Sequence, residues 1–252
     1  MATVIDISIS ETSYAGATEQ IRAWALSGES RGVYATGVQG VMEAFDSPDF
    51  KKILNRADMN TPDGMPLVWM LRIKGVKGQE RVYGPTLMLH VLEMAAREQI
   101  RVGFFGGDNL TLERLVSLIY ERFPGLQVAY AYSPPFRPLN KQETENISEE
   151  ISRSGTRILF VGLGCPKQEN WIDEHKGKIP VVMLGVGAAF DFLAGIKPQA
   201  PTWMQAIGME WFFRLLHEPR RLAMRYIYNN PRFIVLAVAD LLGILDKGKK
   251  EA

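Results

Sequence analysis

The chain has 252 residues, of which 46% are hydrophobic and 23% charged, and its formal net charge is +1. This composition is ordinary for a soluble globular protein with a sizeable core, and it indicates no nucleic-acid partner. The single cysteine, Cys165, excludes a disulfide framework and fits a reducing compartment. No positively charged leader followed by an apolar run opens the sequence, so we expect no secretory signal and a cytoplasmic location.

Short apolar runs recur along residues 1–195 and predict strands, because they are rich in β-branched residues and do not alternate. The runs are "TVIDISI", "GVYATG", "RVGFFGG", "LQVAYAY", "RILFVGLG" and "PVVMLGVG". Between them, residues 86–99, 109–123 and 140–154 have the apolar spacing of helices. The alternation predicts the α/β class, with a doubly wound, mainly parallel, Rossmann-like sheet in a catalytic domain over residues 1–195.

The pattern changes after about residue 195. Residues 196–252 predict a helical appendage, broken near Gly208, Pro219 and Pro231. This appendage has four Lys and five Arg against five acids, a charge of +4 that leaves −3 for the rest of the chain. A basic end predicts an anionic partner, such as a phosphate group or a membrane surface, although a solvated helical surface has the same composition.

The last apolar segment, residues 233–245, is about 13 residues long, whereas a bilayer-spanning helix needs roughly 20. Two arrangements stay open for it. It lies on a membrane, with nearby arginines facing anionic head groups, or it packs on the core as a terminal helix, which its composition favours. The arginines concerned are Arg220, Arg221, Arg225 and Arg232.

Five predicted strand ends carry glycines or polar residues. In a parallel sheet such ends share one edge, and ligands of open α/β sheets bind there. Their convergence predicts a binding site at that edge. The marking residues are Thr36 and Gly37; Asp63; Gly106, Gly107 and Asp108; Gly162 and Gly164 with Lys167, Gln168 and Glu169; and Gly185 with Gly187.

Each of these signals also has a purely structural explanation. An aspartate just before a helix, such as Asp63, is most often an N-cap, and paired glycines serve tight turns. Gln168 and Glu169 fit a solvated first helical turn, and Asp191 is either a site residue or a helix-surface acid. The stretch "GVGAAF" is close to a dinucleotide fingerprint but lacks its third glycine in place, so it supports NAD only weakly.

Metal and thiol chemistry find little support in the sequence. The three histidines lie far apart in helical patterns, so no zinc site is predicted. No histidine is tied to Cys165, which we interpret as a small core-facing thiol. The chain has no Asp-x-Asp pair to hold a divalent ion. We therefore expect a metal-independent site, in which arginines and backbone N–H groups neutralise any pyrophosphate.

Taken together, these stretches resemble the WecG/TagA/CpsF family of glycosyltransferases. The resemblance implies inverting transfer of a sugar of the N-acetylmannosamine, N-acetylmannosaminuronate or glucose type. The donor is a UDP-sugar, and the acceptor is a polyprenyl-diphosphate-linked saccharide used for cell-surface polysaccharides at the inner face of the membrane. The matching elements, over roughly residues 30–230, are "NTPDGMPLVW", "RVYGPTLM", "GFFGG", "YSPPF", "GLGCPKQENW", "GVGAAFDFLAG" and "APTWMQAIGMEWFFRLLHEPRRLAMRY".

The resemblance also implies roles for individual residues. Asp63 stands in "TPDG" where the family has an "ADG"-type motif, and it becomes the catalytic base. The appendage closes the site at the membrane and delivers Arg214, Arg221 and Arg225 to the diphosphate, and we assign Arg81 the same role. The predicted donor-binding set comprises Thr36, Asn60, Gly106, Gly107, Gly162, Gly164, Gln168, Glu169, Gly187 and Asp191.

Two other functional classes stay open at this point. An NAD(P)-dependent oxidoreductase is disfavoured by the imperfect fingerprint and by the lack of a Tyr-Lys or His arrangement. A non-catalytic peripheral membrane protein is disfavoured by Asp63 and the glycine-marked loops, which a scaffold does not require. The donor sugar, the acceptor saccharide and homo-oligomer formation are left open, and we predict peripheral association with the inner face of the membrane.

Overall fold

A computed structural model describes residues 2–247, with side chains described as far as residue 245. Its centre is a six-stranded sheet in which all neighbouring strands are parallel. In chain order the strands are β1 (Ala2–Val4), β2 (Ile7–Ile9), β3 (Arg31–Thr36), β4 (Met59–Pro62), β5 (Val102–Gly106), β6 (Val128–Tyr132), β7 (Ile158–Gly162) and β8 (Val182–Gly185). The order across the sheet is β4-β3-β8-β7-β5-β6.

Helices connect the strands and form the C-terminal part of the chain, which confirms the predicted α/β class. They are α1 (Tyr14–Ser27), α2 (Val38–Asp46), α3 (Pro48–Asn55), α4 (Met65–Ile73), α5 (Gly84–Glu98), α6 (Asn109–Arg122), α7 (Lys141–Ser154), α8 (Lys167–His175), α9 (Ala189–Leu193), α10 (Thr202–Ala206), α11 (Glu210–His217), α12 (Pro219–Leu241) and α13 (Ile244–Lys247).

Five of the six predicted strands are confirmed as sheet strands, and the first is wrong. The "TVIDISI" run folds back on itself as the antiparallel hairpin β1-β2, turning at Ile5 and Asp6, which have φ of 48° and 63°. Strand β4 was predicted only by its end at Asp63 and not as an apolar run, because its sequence, "MNTP", is not apolar, although all four residues are buried. Ser10, just after the hairpin, donates its N–H to the Asn60 carbonyl at 2.8 Å and so covers the β4 edge.

The core has two parts, one on each face of the sheet. Successive side chains of a strand point to opposite faces. On β5, Phe104 belongs to the part under α1, α5 and α6, whereas Phe105 belongs to the part under α2, α4 and α8. Phe104 stacks on Phe160, and Phe105 stacks on Trp171. Coverage of both faces explains why the strand sequences do not alternate.

The predicted helix breaks near Gly208 and Pro219 are confirmed, since α10 ends before the first and α12 begins at the second. The break at Pro231 is wrong, because α12 continues through this proline. Burial of Phe233 and Ala237 beyond it stabilises the helix against the lost backbone hydrogen bond.

Helix α12 packs on the α/β body. This agrees with the second arrangement left open above, in which the last apolar segment packs on the core as a terminal helix. Lys74 pairs with Asp240 at 2.7 Å, and Arg232 pairs with Asp46. Across residues 2–247, no helix combines the length and the apolar character needed to cross a bilayer.

Candidate active site

A cleft of about 1010 Å³ lies at the carboxyl ends of β3, β4, β7 and β8 and is walled on the other side by α11 and α12. The fold therefore brings together residues from both ends of the chain. Ten of the predicted site residues line it, namely Thr36, Asp63, Arg81, Gly164, Gln168, Glu169, Gly187, Arg214, Arg221 and Arg225.

Asp63 follows β4 directly, and its position is set by the neighbouring strand. Its N–H donates to the Thr36 carbonyl at 3.0 Å, which extends the pairing of β3 and β4 by one bond. The structure does not use the carboxylate as an N-cap, because α4 begins after Gly64 and has no side-chain cap. Oδ1 instead accepts from the Gly84 N–H at 3.4 Å. Asp63 is thus held at the cleft by backbone groups that contact its own N–H and its carboxylate.

The pKa of Asp63 is shifted towards neutral pH. Burial raises the pKa of this carboxyl to about 6, and the negative charge of Glu210 acts in the same direction. The Arg81 guanidinium, 3.6 Å from Oδ1, opposes the shift. The side chain is still 26% exposed, because one side faces the cleft. A carboxylate with such a pKa, open on the ligand side, has the properties of a general base.

Arg81, Tyr83 and Glu210 form a network that joins the appendage to Asp63. Arg81 donates Nε to the Asp63 carbonyl and Nη2 to Glu210 Oε2 at 2.5 Å. Its guanidinium stacks over the Tyr83 ring, and the Tyr83 hydroxyl donates to Glu210 Oε1 at 3.0 Å. Glu210 is the first residue of α11 and is only 9% exposed. The start of the appendage is therefore tied to the residue that would act as the base.

Sequence reasoning missed Tyr83, Glu210 and Gln39 as site residues. A signal existed for Glu210, since it is a single acid at the start of the strongly apolar "EWFF" segment. Tyr83 lies beside Arg81 in "RVYGP". Gln39 lines the cleft from the first turn of α2, and its bond to Arg225, 186 positions away, had no signal in the sequence.

Three arginines of the appendage face the cleft from α11 and α12. Arg225 Nη1 donates to Gln39 Oε1 at 2.8 Å, and Arg221 pairs with Glu218 at 2.6 Å. Arg214 lies over the Phe192 ring, and its buried Nε has no hydrogen-bond partner within residues 2–247. An arginine with unused donors suits a bidentate anion such as phosphate.

The helices that begin at the cleft start without side-chain caps. The N-cap residues of α2, α4 and α8 are Gly37, Gly64 and Pro166, and none makes a side-chain cap bond. Uncapped helix N-termini carry partial positive charge and bind anions. Together with the arginines, they place positive charge on both walls of the cleft.

Gln168 and Glu169 lie at the start of α8 and are not a solvated turn, since both are buried. Gln168 links two loops, because Oε1 accepts from Gly187 N–H and Nε2 donates to Glu169 Oε1, both at 2.9 Å. Burial raises the pKa of Glu169, and hydrogen bonds to its carboxylate from Gln168 and Cys165 oppose the shift. Glu169 therefore lines the cleft as a buried polar group.

Five predicted donor-binding residues do not line the cleft. Asn60 is buried against the hairpin, donating to the Ser8 carbonyl at 3.0 Å. Asp191 pairs with Lys197 at 2.6 Å. Close packing of the neighbouring strands accounts for Gly106 and Gly162, and backbone conformation accounts for Gly107.

The packing of Gly106 and Gly162 has a clear steric cause. A Cβ on Gly106 would lie 2.6 Å from the Gly162 carbonyl oxygen, and one on Gly162 would lie 2.7 Å from the Phe190 ring. Gly107 has a φ of 70°, which favours glycine, and donates its N–H to the Gly162 carbonyl at 3.2 Å. Contact between the ends of β5 and β7 and a tight turn therefore explain these glycines, rather than ligand binding.

Cys165 and the histidines stand apart from the proposed chemistry. Burial raises the pKa of the Cys165 thiol, so it stays protonated at neutral pH. His175 is buried with Nδ1 at 2.6 Å from the Trp171 carbonyl. Within residues 2–247, no group of three or more His, Cys, Asp or Glu side chains is arranged to hold a metal ion.

Comparison with known proteins places the chain in a family. The model described as "Glycosyl transferase WecG/TagA/CpsF family" matches residues 2–246. A relative from Bacillus spizizenii is 28% identical over 193 residues, which cover 76% of this chain and 72% of the relative. One from Bacillus subtilis is 29% identical over 179 residues, covering 71% and 68%.

Both relatives are named N-acetylglucosaminyldiphosphoundecaprenol N-acetyl-beta-D-mannosaminyltransferase. The match along almost the whole chain overturns the oxidoreductase and the non-catalytic alternatives. This chain belongs to the WecG/TagA/CpsF family of glycosyltransferases.

Proposed function

We propose that this enzyme transfers an N-acetylmannosamine-type sugar from a UDP-sugar to a polyprenyl-diphosphate-linked N-acetylglucosamine, with inversion at the anomeric carbon. The observation that carries the proposal is the position of Asp63 in a cleft whose opposite wall presents Arg214, Arg221 and Arg225. The names of the two Bacillus relatives supply the sugar and the acceptor.

The reaction is a single displacement. The acceptor hydroxyl oxygen attacks the anomeric carbon and forms the new glycosidic bond while the bond from that carbon to the UDP oxygen breaks. Asp63 takes the hydroxyl proton, a role worth about 10²–10⁴-fold in rate. The electron pair of the broken bond leaves with UDP, where the arginines stabilise the diphosphate charge.

The donor diphosphate is proposed to sit between the arginines and the uncapped starts of α2 and α8. Arginine matches phosphate with two parallel hydrogen bonds, and the partial positive charge of the uncapped helix starts adds to it. With this supply of positive charge, the transfer needs no divalent cation. Glu169, which lines the cleft, is proposed to hydrogen-bond the uridine or the sugar.

The appendage is proposed to rest on the inner face of the membrane, where a polyprenyl-linked acceptor resides. Its outer side exposes large apolar side chains that nothing in residues 2–247 covers, and such a patch marks an interaction surface. These side chains are Trp203, Leu216, Met224, Ile227, Tyr228, Val235 and Leu242.

Thermal unfolding with candidate donors tests the proposed function first. We expect UDP and UDP-N-acetylmannosamine to raise the melting temperature equally with and without magnesium, and NADH to leave it unchanged. Transfer is then measured with N-acetylglucosamine diphosphate linked to a farnesyl chain as acceptor. Stabilisation by NADH alone, or no stabilisation by any UDP compound, would contradict the proposal, whereas a strict magnesium requirement would contradict its metal-free form.

A further inference from the structure

The cleft continues beyond the charged site into an apolar arm between α4 and α12. Its walls are Trp69 and Ile73 on α4 and Ile234 and Val238 on α12, all lining the same cleft as Asp63. These four side chains are 44%, 67%, 62% and 52% exposed. Large apolar side chains lining a concave surface open to solvent mark a binding groove for an apolar ligand.

The floor and the far end of the apolar arm are built by the fold. Met70, Phe233 and Ala237 form the floor and belong to the buried core. Beyond Ile73 and Val238, the Lys74–Asp240 pair at 2.7 Å ties the two helices together. Near the other end, Gly208 fits against Trp69, where a Cβ would lie 2.9 Å from the indole ring. The arm is therefore a defined groove and not a flat patch.

The arm begins at the reacting end of the cleft. Helix α4 starts two residues after Asp63, and Trp69 and Ile73 follow at one and two turns along it. At 1.5 Å per residue, the distance along the axis from Met65 to Ile73 is about 12 Å. A ligand that extends from Asp63 into the arm would have to be polar at its reacting end and apolar along the rest.

We infer that the apolar arm binds the first isoprene units of the polyprenyl diphosphate acceptor. The inference rests on the proposed function for the identity of the acceptor. A UDP-sugar has no apolar chain for this groove, whereas a polyprenyl-diphosphate-linked sugar has a polar reacting end and an apolar chain in the required order. Burial of its hydrocarbon contributes about 0.8 kcal/mol per CH₂ group. The groove would hold the acceptor in register with Asp63 after its chain leaves the bilayer.

Binding of prenyl diphosphates to the whole protein tests this inference without any sugar transfer. Calorimetric titration compares inorganic pyrophosphate with farnesyl diphosphate. We expect the farnesyl compound to bind at least about tenfold more tightly, since a few buried CH₂ groups suffice for that factor. Equal affinity of the two compounds would overturn the inference.

Two double variants on α12 locate the effect. Ile234→Ser with Val238→Ser changes the groove, and Ile227→Ser with Val235→Ser makes the same chemical change at positions 68% and 67% exposed that do not line the cleft. We expect the groove pair to weaken farnesyl diphosphate binding on the order of 10- to 100-fold and to leave pyrophosphate binding unchanged. All four residues are at least half exposed, so the fold tolerates both pairs.

The control pair separates a prenyl groove from a general lipid surface. It should keep farnesyl diphosphate affinity within about twofold and lose binding to vesicles of phosphatidylglycerol, the membrane probe. An equal loss of farnesyl diphosphate affinity in both pairs would mean that the helix binds any apolar chain, and would overturn the inference. So would unchanged affinity in the groove pair.

Failure of this inference can be told apart from failure of the proposed function. Sugar transfer to a farnesyl-linked acceptor that the groove pair leaves intact would keep the proposed function and remove the groove. Tight, groove-dependent binding of farnesyl diphosphate by a protein that transfers no sugar would keep the groove and contradict the proposed function.

Discussion

The carboxyl edge of the sheet has two halves that use their strand ends differently. We call the half at β3, β4, β7 and β8, which lines the cleft, the open half, and the half at β5 and β6 the closed half. Helices α2, α4 and α8, which follow β3, β4 and β7, begin at residues with no side-chain cap. Helix α6, which follows β5, is capped by Asp108, whose carboxylate accepts from the Thr111 N–H at 2.7 Å. The uncapped starts of the first three helices direct partial positive charge towards the cleft, whereas the start of α6 is capped by its own chain.

Glycines at the two halves differ in the same way. A Cβ on Gly37, whose φ is −110°, would meet nothing within 4 Å, and this residue lines the cleft. A Cβ on Gly106 or Gly162 would clash with neighbouring backbone or with Phe190. Glycine at a strand end therefore has different physical origins, which include space for a ligand and close contact between chain segments. Sequence patterns alone do not distinguish them.

The largest expected effect is on the transfer rate, and it comes from Asp63, the aspartate that follows β4 in the open half. Asp63→Asn should lower the transfer rate by about 10²–10⁴-fold, because the amide cannot take the acceptor proton. UDP affinity should persist, since the shape of the side chain is retained. Steady-state transfer assays and a UDP titration measure the two quantities.

Asp108→Asn is the matched control, with the same chemical change at the closed half. Asparagine caps a helix as well as aspartate does, so both stability and activity should be retained. Comparable loss of transfer in the two variants would remove the distinction between the halves.

The second effect separates the two kinds of glycine. Gly162→Ala should lower the free energy of unfolding by about 1–3 kcal/mol, because the methyl group overlaps the Phe190 ring. Gly37→Ala should lower it by less than about 1 kcal/mol and instead reduce transfer, because its methyl group stands in the cleft. Urea unfolding followed by transfer assays tests the pair, and the reverse order of stability losses would contradict our assignment.

A smaller effect is expected from deleting the cap of the closed half. Asp108→Ala should cost about 1 kcal/mol of unfolding free energy, since the Thr111 N–H loses its partner. Transfer at saturating donor should be unchanged, because Asp108 does not line the cleft. A fall in donor affinity would show that the ligand reaches β5.

The smallest effect concerns the pH dependence of the open half. Transfer should rise as pH increases through about 6, as Asp63 loses its proton. Glu210→Gln removes a negative charge that raises this pKa and frees Arg81 to face Asp63, so the acid limb should move to lower pH. The charged and titratable groups that face Asp63 are Arg81, Arg214, Glu210, Tyr83 and Tyr14.

At pH 5, relative to its own plateau, the Glu210→Gln enzyme should be on the order of two- to fivefold more active than the natural one. A merely structural role for Glu210 would lower the plateau and leave the midpoint of the pH profile in place. The Tyr83→Phe variant, which keeps the charge of Glu210, serves as the control.

The raised pKa of Asp63 also makes the stability of the folded protein depend on pH. The folded protein binds this proton more strongly than the unfolded chain, whose carboxyl has the ordinary pKa of 3.8. Ionisation of Asp63 therefore lowers stability as pH rises from about 4 through 6. Asp63→Asn should consequently be at least as stable as the natural protein at pH 7, as measured by thermal unfolding. A clear loss of stability would mean that the carboxylate is held by more favourable contacts.

Much of the candidate site followed from local signals. Asp63 and three appendage arginines lie in segments whose chemistry is unusual for their surroundings, and these four residues line the cleft; the arginines are Arg214, Arg221 and Arg225. Asn60 resembled a site residue because it is polar and near a strand end, yet its side chain supports the β1-β2 hairpin. A polar residue in a buried strand needs a hydrogen-bond partner. The amino-acid sequence does not show whether that partner is a ligand or another part of the protein.

The amino-acid sequence by itself determined the α/β class, the helical appendage and the family, because periodicity, strand-end residues and ordered motifs are local properties of the chain. Only the tertiary structure decided which strand ends open into the cleft, that Glu210 shares Arg81 with Asp63, and that α4 and α12 enclose an apolar arm. These features join residues as far apart as Lys74 and Asp240, separated by 166 positions. Contacts over such separations depend on how whole helices pack on the sheet, and no local pattern encodes that.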